Sequence, residues 1–304
     1  MLRSAVASPR WNPVTIRTDS ECMSRRIAPF RRQWMKSAVA SSLAALVLAA
    51  CLAEVAEAAS LDARYDVSLL GITLGTASLS GGIDGSSYKL DMAAKLTGIV
   101  GGVTGGRGSG AATGALVGGK LAPKTFAVSS ANSSENRTVR MALTDNSVAG
   151  IDIEPPIDDK PDRVPVTESH KRNIVDPLSA FIMPVNGKGK DGACNRTLPI
   201  FDGAARYDIK LSSAGTRNVK LEGYSGPVSI CQARYVPIAG HRALRPSTKF
   251  MIENRDITTW LAPVAGTDVM VPVRISVKTM IGTAVIEASS FKVDPGVTAT
   301  AARN

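Results

Sequence analysis

Two cysteines, Cys194 and Cys231, bracket the most constrained stretch of this chain. Between them, in CNRTLPIFDGAARYDIKLSSAGTRNVKLEGYSGPVSIC, residues of strand type alternate with others: Tyr207, Ile209 and Leu211, then Val219 and Leu221, then Val228 and Ile230. A period of two is the signature of strands with one buried face. Gly203, Gly215 and Gly226 fall where the alternation breaks, and reversing strands need residues there that tolerate positive φ. The stretch reads as a β-meander with a cysteine near each end. It holds no nucleophile beside a base, no metal-ligand spacing and no phosphate loop.

Whether the two thiols are joined depends on the compartment, and the N-terminal region bears on that. Residues 35–58, MKSAVASSLAALVLAACLAEVAEA, follow an RRQW run, carry an apolar run from Ala38 to Ala53 and end on Ala56-Glu57-Ala58. A positive start, an apolar middle and a small-x-small end form a signal peptide, so export to the periplasm is expected, with cleavage before Ala59. The apolar run is shorter than the roughly 20 residues of a comfortable membrane span, so no integral span is expected after cleavage. Met35 then reads as the true start, and residues 1–34 as an over-long start assignment or a disordered extension. Leu48-Ala49-Ala50-Cys51 also fits a bacterial lipobox, in which Cys51 would be lipidated and hold the chain at a membrane. The apolar residues after Cys51 and the soluble-type site at Ala58 argue for the free periplasmic form. In an oxidising compartment Cys194 and Cys231 are expected to pair as a disulfide. Closing that loop stabilises by roughly 3–4 kcal/mol in the chain-entropy model.

With 304 residues, 44% of them hydrophobic and only 20% charged, the chain can bury a full core. The formal charge is +10, but residues 1–58 hold eight Lys/Arg against four acids, which leaves +6 for everything after them. That charge is spread without a dense block, and aromatics are too few to stack bases, so no nucleic-acid partner is expected.

Strand-like alternation recurs along the rest. Residues 64–80 place Tyr65, Val67 and Leu69, then Ile72, Leu74, Ala77 and Leu79 on alternating positions, and read as one bent strand or a pair with a bulge. Residues 87–96 repeat the pattern through turns too short for a crossover helix, so the pairing is antiparallel. The glycine-rich run 98–119 leads into G-x-x-x-x-G-K at Gly114–Lys120, but Leu121 stands where a magnesium-binding hydroxyl would follow, so a nucleotide cradle is rejected in favour of closely packed β-turns or a mobile flap beside a cavity. Further strands follow over 124–153, then a proline-punctuated acidic loop at 154–169 without calcium-loop spacing. Asp176-Pro177 opens a short helix over 176–183 with Leu178, Phe181 and Ile182 on its buried stripe. After the meander, Phe250 and Ile252 read as a strand, Ile257 and Trp260 as another, and Val269–Val277 pairs with Ala284–Phe291 as a hairpin whose Pro272 suggests an edge. Residues 295–304 read as a frayed tail.

Chemistry-bearing groups are sparse. The two histidines, His170 and His241, stand next to lysine or arginine and suit anion contacts better than metal ligation. Ser86-Ser87-Tyr88-Lys89 matches S-x-x-K without its companion motifs. No catalytic residues, cofactor or metal are expected. A basic group of Lys171, Arg172, His241, Arg242 and Arg245 is the candidate anion contact, toward the phosphates of an envelope glycolipid.

DPLSAF, CNRTLPIFDGAARYDI, SGPVSICQARYVPIAGHR and WLAPVAGTDVMVPVRISVKTMIGTAVIEASSF, with Y-x-V-x-L-L-G-I-T-L-G at the start, together resemble the bacterial envelope family called domain of unknown function 3108. The likeness covers about residues 60–293 and implies an exported, β-rich protein with no activity or site to carry over. The expected fold over 59–294 is one antiparallel curved sheet or barrel of about eleven strands, with small inward residues such as Ala77, Ala94, Ala284 and Ala288 leaving room for a cavity. The function expected first is a non-catalytic carrier or binding protein for a lipid-like ligand. A structural member of an envelope assembly comes second, and an enzyme of unidentified type third.

Overall fold

The alternation along the chain is realised almost throughout as strands. The computed structural model describes residues 58–296 except 85, 99–100, 103–104 and 186–189. The signal segment up to Glu57, with Cys51, the extension 1–34 and the tail from 297 lie outside the described residues. The first seven strands form a nearest-neighbour meander: β1 (Ala59–Leu69), β2 (Ile72–Ile83), β3 (Ser87–Leu96), β4 (Arg107–Val117), β5 (Lys120–Ala131), β6 (Asn136–Thr144) and β7 (Ser147–Glu154). A two-residue β8 (Met183–Pro184) precedes a second meander of β9 (Arg196–Phe201), β10 (Arg206–Leu221), β11 (Tyr224–Ala239), β12 (Ile257–Pro263), β13 (Val269–Thr279) and β14 (Gly282–Asp294).

The two meanders become one antiparallel sheet because β1 pairs with β14 as well as with β2. The terminal strands of the domain therefore lie in its middle, and β7 and β9 form the two edges. These edges do not pair with each other. A single stave bridges toward both: the amide of Ile174 donates to Asn146 O (2.8 Å), and Val175 sits beside β9, donating to Pro199 O (2.8 Å) and accepting from Phe201 N (3.0 Å). At the far end of the second meander, the β10–β11 turn folds back onto β14, where Phe291 N donates to Glu222 O (2.8 Å) and Tyr224 meets Phe291 edge-on.

The predicted pattern of faces holds. In β1, Ala59, Leu61, Ala63 and Tyr65 are buried while the residues between them are exposed. Leu61, Ala63 and Tyr65 join Leu79, Leu90, Phe126, Met141, Val271 and Phe291 in the main core. The disulfide Cys194–Cys231 is formed, with Cα atoms 5.5 Å apart, and ties the approach to β9, two residues before its start, to β11 across the intervening β10. Both cysteines are buried in a second cluster with Leu198, Leu211, Leu261 and Met270.

Four expectations change in detail. Among the described residues fourteen strands form where about eleven were expected. Residues 64–80, by contrast, follow one of their two expected readings, the pair β1 and β2 with a register shift near Val67, and Leu70 and Gly71 turn the chain at positive φ. The helix over 176–183 is present as a single 3-10 turn at Ser179–Phe181. Phe250 and Ile252, read as a strand, lie instead in α1 (Pro246–Glu253): Pro246 takes the first helical position, where its missing N–H costs nothing, and Lys249 N closes back on Arg245 O (3.1 Å). Pro272 is not at an edge, since β13 lies between β12 and β14. It is tolerated because the register shifts opposite it and pairing with β14 starts only at Arg274.

The glycine-rich run has a packing role. G-x-x-x-x-G-K folds into the β4–β5 hairpin, with Gly118 and Gly119 at the turn. Gly114 pairs with Tyr88, whose ring lies so close over it that an added Cβ would sit 2.3 Å from the phenol oxygen. Tyr88 thereby reaches inward, and its hydroxyl donates to Ser179 Oγ at 2.8 Å.

Candidate functional site

Alternate hairpins of a meander turn at the same end of a sheet. The turn after β1 at Leu70-Gly71, the exit from β3 at Leu96, the turn 132–135 after β5 and the turn at 280–281 after β13 therefore share one end. The starts of β10 and β12 and the end of β11 lie there too. A cavity of about 1190 Å³ opens among these segments, above the roughly 300–1,000 Å³ of ordinary small-molecule clefts.

Its wall is apolar. Tyr65, Val67, Leu79, Met92, Ile275 and Ile286 contribute from strands, Phe181 from the segment threaded between the sheet edges, and Tyr235 from β11. Ala77 and Ala94 also line it, so two of the four small inward residues make room as expected, while Ala288 is packed in the core.

Its rim is basic. Glu135 and Asp158 are the carboxylates of the lining, and each is matched by a neighbour: Arg137 approaches Glu135 at 2.5 Å and Lys160 approaches Asp158 at 3.4 Å. Arg242 Nε holds Asp162 at 2.7 Å, and this contact keeps the Asp162 carboxyl below the usual range. Lys95, Arg107 and Arg245 line the same space with no carboxylate partner among the described residues, and Arg163 lines it while acting electrostatically on the buried Asp202. Each surface ion pair is worth about 0–1 kcal/mol, so the pairs position side chains more than they stabilise the fold.

The acidic loop reaches this site because it is pinned there. Gly240 N donates to Val164 O (2.8 Å), Val164 N donates to His241 O (3.0 Å), and Arg163 Nη1 donates to Gly240 O. Arg163 Nε and His241 Nδ1 are nevertheless buried without a partner. Orphaned buried donors and acceptors are uncommon and costly. Burial lowers the His241 pKa, so the ring is neutral at neutral pH. Below the wall, burial raises the pKa of Asp202, whose Oδ1 accepts from the amides of Ala204 (2.8 Å) and Ala205 (2.7 Å).

Of the five predicted anion contacts, His241, Arg242 and Arg245 come together at the cavity. Lys171 and Arg172 do not: Lys171 pairs with Glu168 at 2.7 Å in a separate 3-10 turn at Glu168–Lys171. His170 accepts from Thr167 N at 3.1 Å within that turn. The residues that sequence reasoning missed are Lys95, Arg107, Arg137, Lys160 and Arg163. A usable signal existed, because counting hairpins places their segments at a common end, although it does not show that the sheet curls them around one space.

The segment carrying Phe181 is held by a buried polar relay. Asp176 is fully buried, and its Oδ1 accepts from Leu178 N (3.0 Å) and Ser179 N (2.8 Å). Burial raises the pKa of this carboxyl against those stabilising contacts. Ser179, also fully buried, links it to Tyr88. Among the described residues no group of three or more His, Cys, Asp or Glu could hold a metal ion, and no helix is long and apolar enough to cross a membrane.

No curated protein matches this chain. Among solved structures, the crystal structure of a β-barrel-like protein of domain of unknown function DUF1849 from Brucella abortus aligns at 10% identity with a TM-score of 0.45, covering 79% of this chain and 99% of that one. The sequence model of the family described as "Protein of unknown function (DUF3108)" matches residues 64–289. The expected resemblance is thus established over most of the strands, and the chain belongs to the DUF3108 family.

Proposed function

We propose that this chain is an exported, non-catalytic carrier that holds a lipid-like molecule with an anionic headgroup. The observation that carries the reading is the cavity itself: an apolar wall under a rim whose cations Lys95, Arg107 and Arg245 have no carboxylate partner among the described residues. An apolar tail would gain about 25 cal/mol per Å² of surface removed from water. A phosphate or carboxylate head would meet planar guanidinium groups suited to bidentate contact, and would satisfy the orphaned Arg163 Nε. The buried disulfide supports an oxidising compartment such as the periplasm. Ser179 and Tyr88, the hydroxyls nearest to a carboxylate relay, are buried and tied to one another, which supports positioning over catalysis.

Protein recovered without detergent and extracted with organic solvent is expected to release a lipid seen by mass spectrometry. Arg163→Gln combined with Arg245→Gln is expected to lower its occupancy about tenfold, two charge-assisted contacts being lost. Protein recovered free of lipid but in a stable complex with another polypeptide would replace this reading with a second one, a member of an envelope assembly. That alternative is favoured by β7, which pairs along Ser147–Glu154 with β6 alone and leaves its outer edge open to an added strand.

A further inference from the structure

The turns at the cavity's end are filled with residues that folding alone would not choose. Leu70 lies at φ 54° and Gly71 at φ 80°, a turn conformation that favours Asn-Gly or Asp-Gly. Leu70 is nevertheless leucine, 67% exposed, and it is followed by Ile72 at 66%. The neighbouring tip repeats the choice, with Met280 58% and Ile281 72% exposed. The equivalent turn at the opposite end, Asp145-Asn146, uses residues that suit positive φ and water.

The two apolar tips form one rigid knuckle. Leu70 N donates to Thr283 O at 3.0 Å, and the Leu70 side chain crosses Gly282 so closely that a Cβ there would sit 2.3 Å from it. Thr279 Oγ1 braces the second tip by donating to Gly282 O at 2.7 Å. Exposed apolar residues scattered singly need no explanation, but four on adjacent turns do. Cations stand behind them at the same end: Lys95 on β3 pairs with Thr76, four residues along β2 from Ile72, Arg107 on β4 pairs with Lys95, and neither has a carboxylate partner among the described residues. Apolar tips flanked by unpaired cations complement a surface that is apolar beneath and anionic on top.

We propose that this end of the sheet docks on an anionic lipid bilayer, with Leu70, Ile72, Met280 and Ile281 entering the interface and Lys95 and Arg107 meeting the headgroups. The cavity opens at the same end, so docking brings its mouth to the membrane. The docking surface stands on the tips and on these two cations and does not require that the cavity carry lipid.

The test labels single thiols with an environment-sensitive fluorophore in the full chain, with Cys22→Ser and Cys51→Ser removing the other two cysteines of the sequence and the disulfide left intact. Ile281→Cys reports the knuckle, and Val117→Cys, 63% exposed on the β4–β5 turn at the other end, reports the opposite pole. With vesicles of phosphatidylglycerol and phosphatidylcholine, the label at 281 is expected to shift to the blue and become shielded from an aqueous quencher, while the label at 117 does not. Leu70→Asn together with Ile72→Asn, the former suited to the turn, is expected to reduce vesicle partitioning about tenfold while leaving the melting temperature unchanged. Vesicles of phosphatidylcholine alone, or about 0.5 M salt, are expected to weaken the shift at 281. Equal shifts at 117 and 281 would overturn the proposal. No shift at 281 on anionic vesicles would also overturn it and would leave a protein partner as the occupant of the tips. Lipid released on extraction is measured separately, so loss of the carrier reading with the shift at 281 intact is distinguishable from loss of docking.

Discussion

Gly114→Ala isolates the contact on which the threaded segment depends. In a strand, alanine is favoured over glycine by about 0.5–1 kcal/mol, so an unobstructed site should be stabilised by the change. Gly110 offers that reference on the same strand: its added Cβ would meet nothing closer than Ala127 O at 3.4 Å. At Gly114 the same atom would sit 2.3 Å from Tyr88 Oη, 2.4 Å from Cζ and 2.7 Å from Cε1, on a ring that is 3% exposed and has no free direction to move. Overpacking of this kind costs about 1–3 kcal/mol. Displacing the ring also breaks its bond to the fully buried Ser179 and leaves the buried Tyr88 hydroxyl unpaired, which costs about 1–3 kcal/mol more. Net destabilisation of about 3 kcal/mol is expected, equivalent to a fall of about 6–12 °C in melting temperature for a domain of this size. Chemical denaturation of both variants measures it. Combined with Tyr88→Phe, Gly114→Ala should cost less than the sum of the single changes, because the hydrogen bond can be lost only once. Equal stability of the Gly110→Ala and Gly114→Ala proteins, within about 0.5 kcal/mol, would refute the packing argument.

Two further outcomes follow from the buried groups. Reducing Cys194–Cys231 frees a loop with a sequence separation of 37, and is expected to cost about 4 kcal/mol and lower the melting temperature by about 10 °C; a shift under about 2 °C in a reductant that fully liberates both thiols would contradict that value. Asp176 has its pKa raised by burial, so its contribution to stability is fully present below the pKa of the unfolded chain and is lost as pH rises through the higher folded value. The stability of the parent relative to Asp176→Asn should therefore decline as pH rises from about 4 toward neutrality. A difference curve that is flat or rises over that window would contradict the burial argument, and urea titrations at stepped pH supply it.

Several parts of this fold were legible before any coordinates. Val67, Leu90, Val139 and Ile286 sit at alternating positions in short runs separated by turn residues, and that pattern admits little besides antiparallel strands. Cys194 and Cys231 stood out because a leader that reads as an export signal makes an oxidised pair the default. Asp176 followed by Pro177 marked a local cap, which the Asp176 carboxylate does make with Leu178 and Ser179. Phe250 and Ile252 misled because two apolar residues two apart fit a strand, and an eight-residue helix from Pro246 outweighed that brief periodicity.

The site was less legible, for a definite reason. His241, Arg242 and Arg245 are close in sequence and were visible as a cluster. Lys95, Arg107, Arg137 and Arg163 come from separate hairpins and a loop, and only the curvature of the sheet brings them to one rim. Sequence by itself determined that the chain is built of antiparallel strands, which residues of most strands face inward and which two thiols pair, because these are set by local backbone preference and by burial of one face. The tertiary structure alone decided that β1 joins β14 in mid-sheet, that Phe181 is threaded between the edges and that cations and apolar tips share one end. Those features depend on long-range register and twist, which place residues more than a hundred positions apart side by side and leave no trace in the order of neighbouring amino acids.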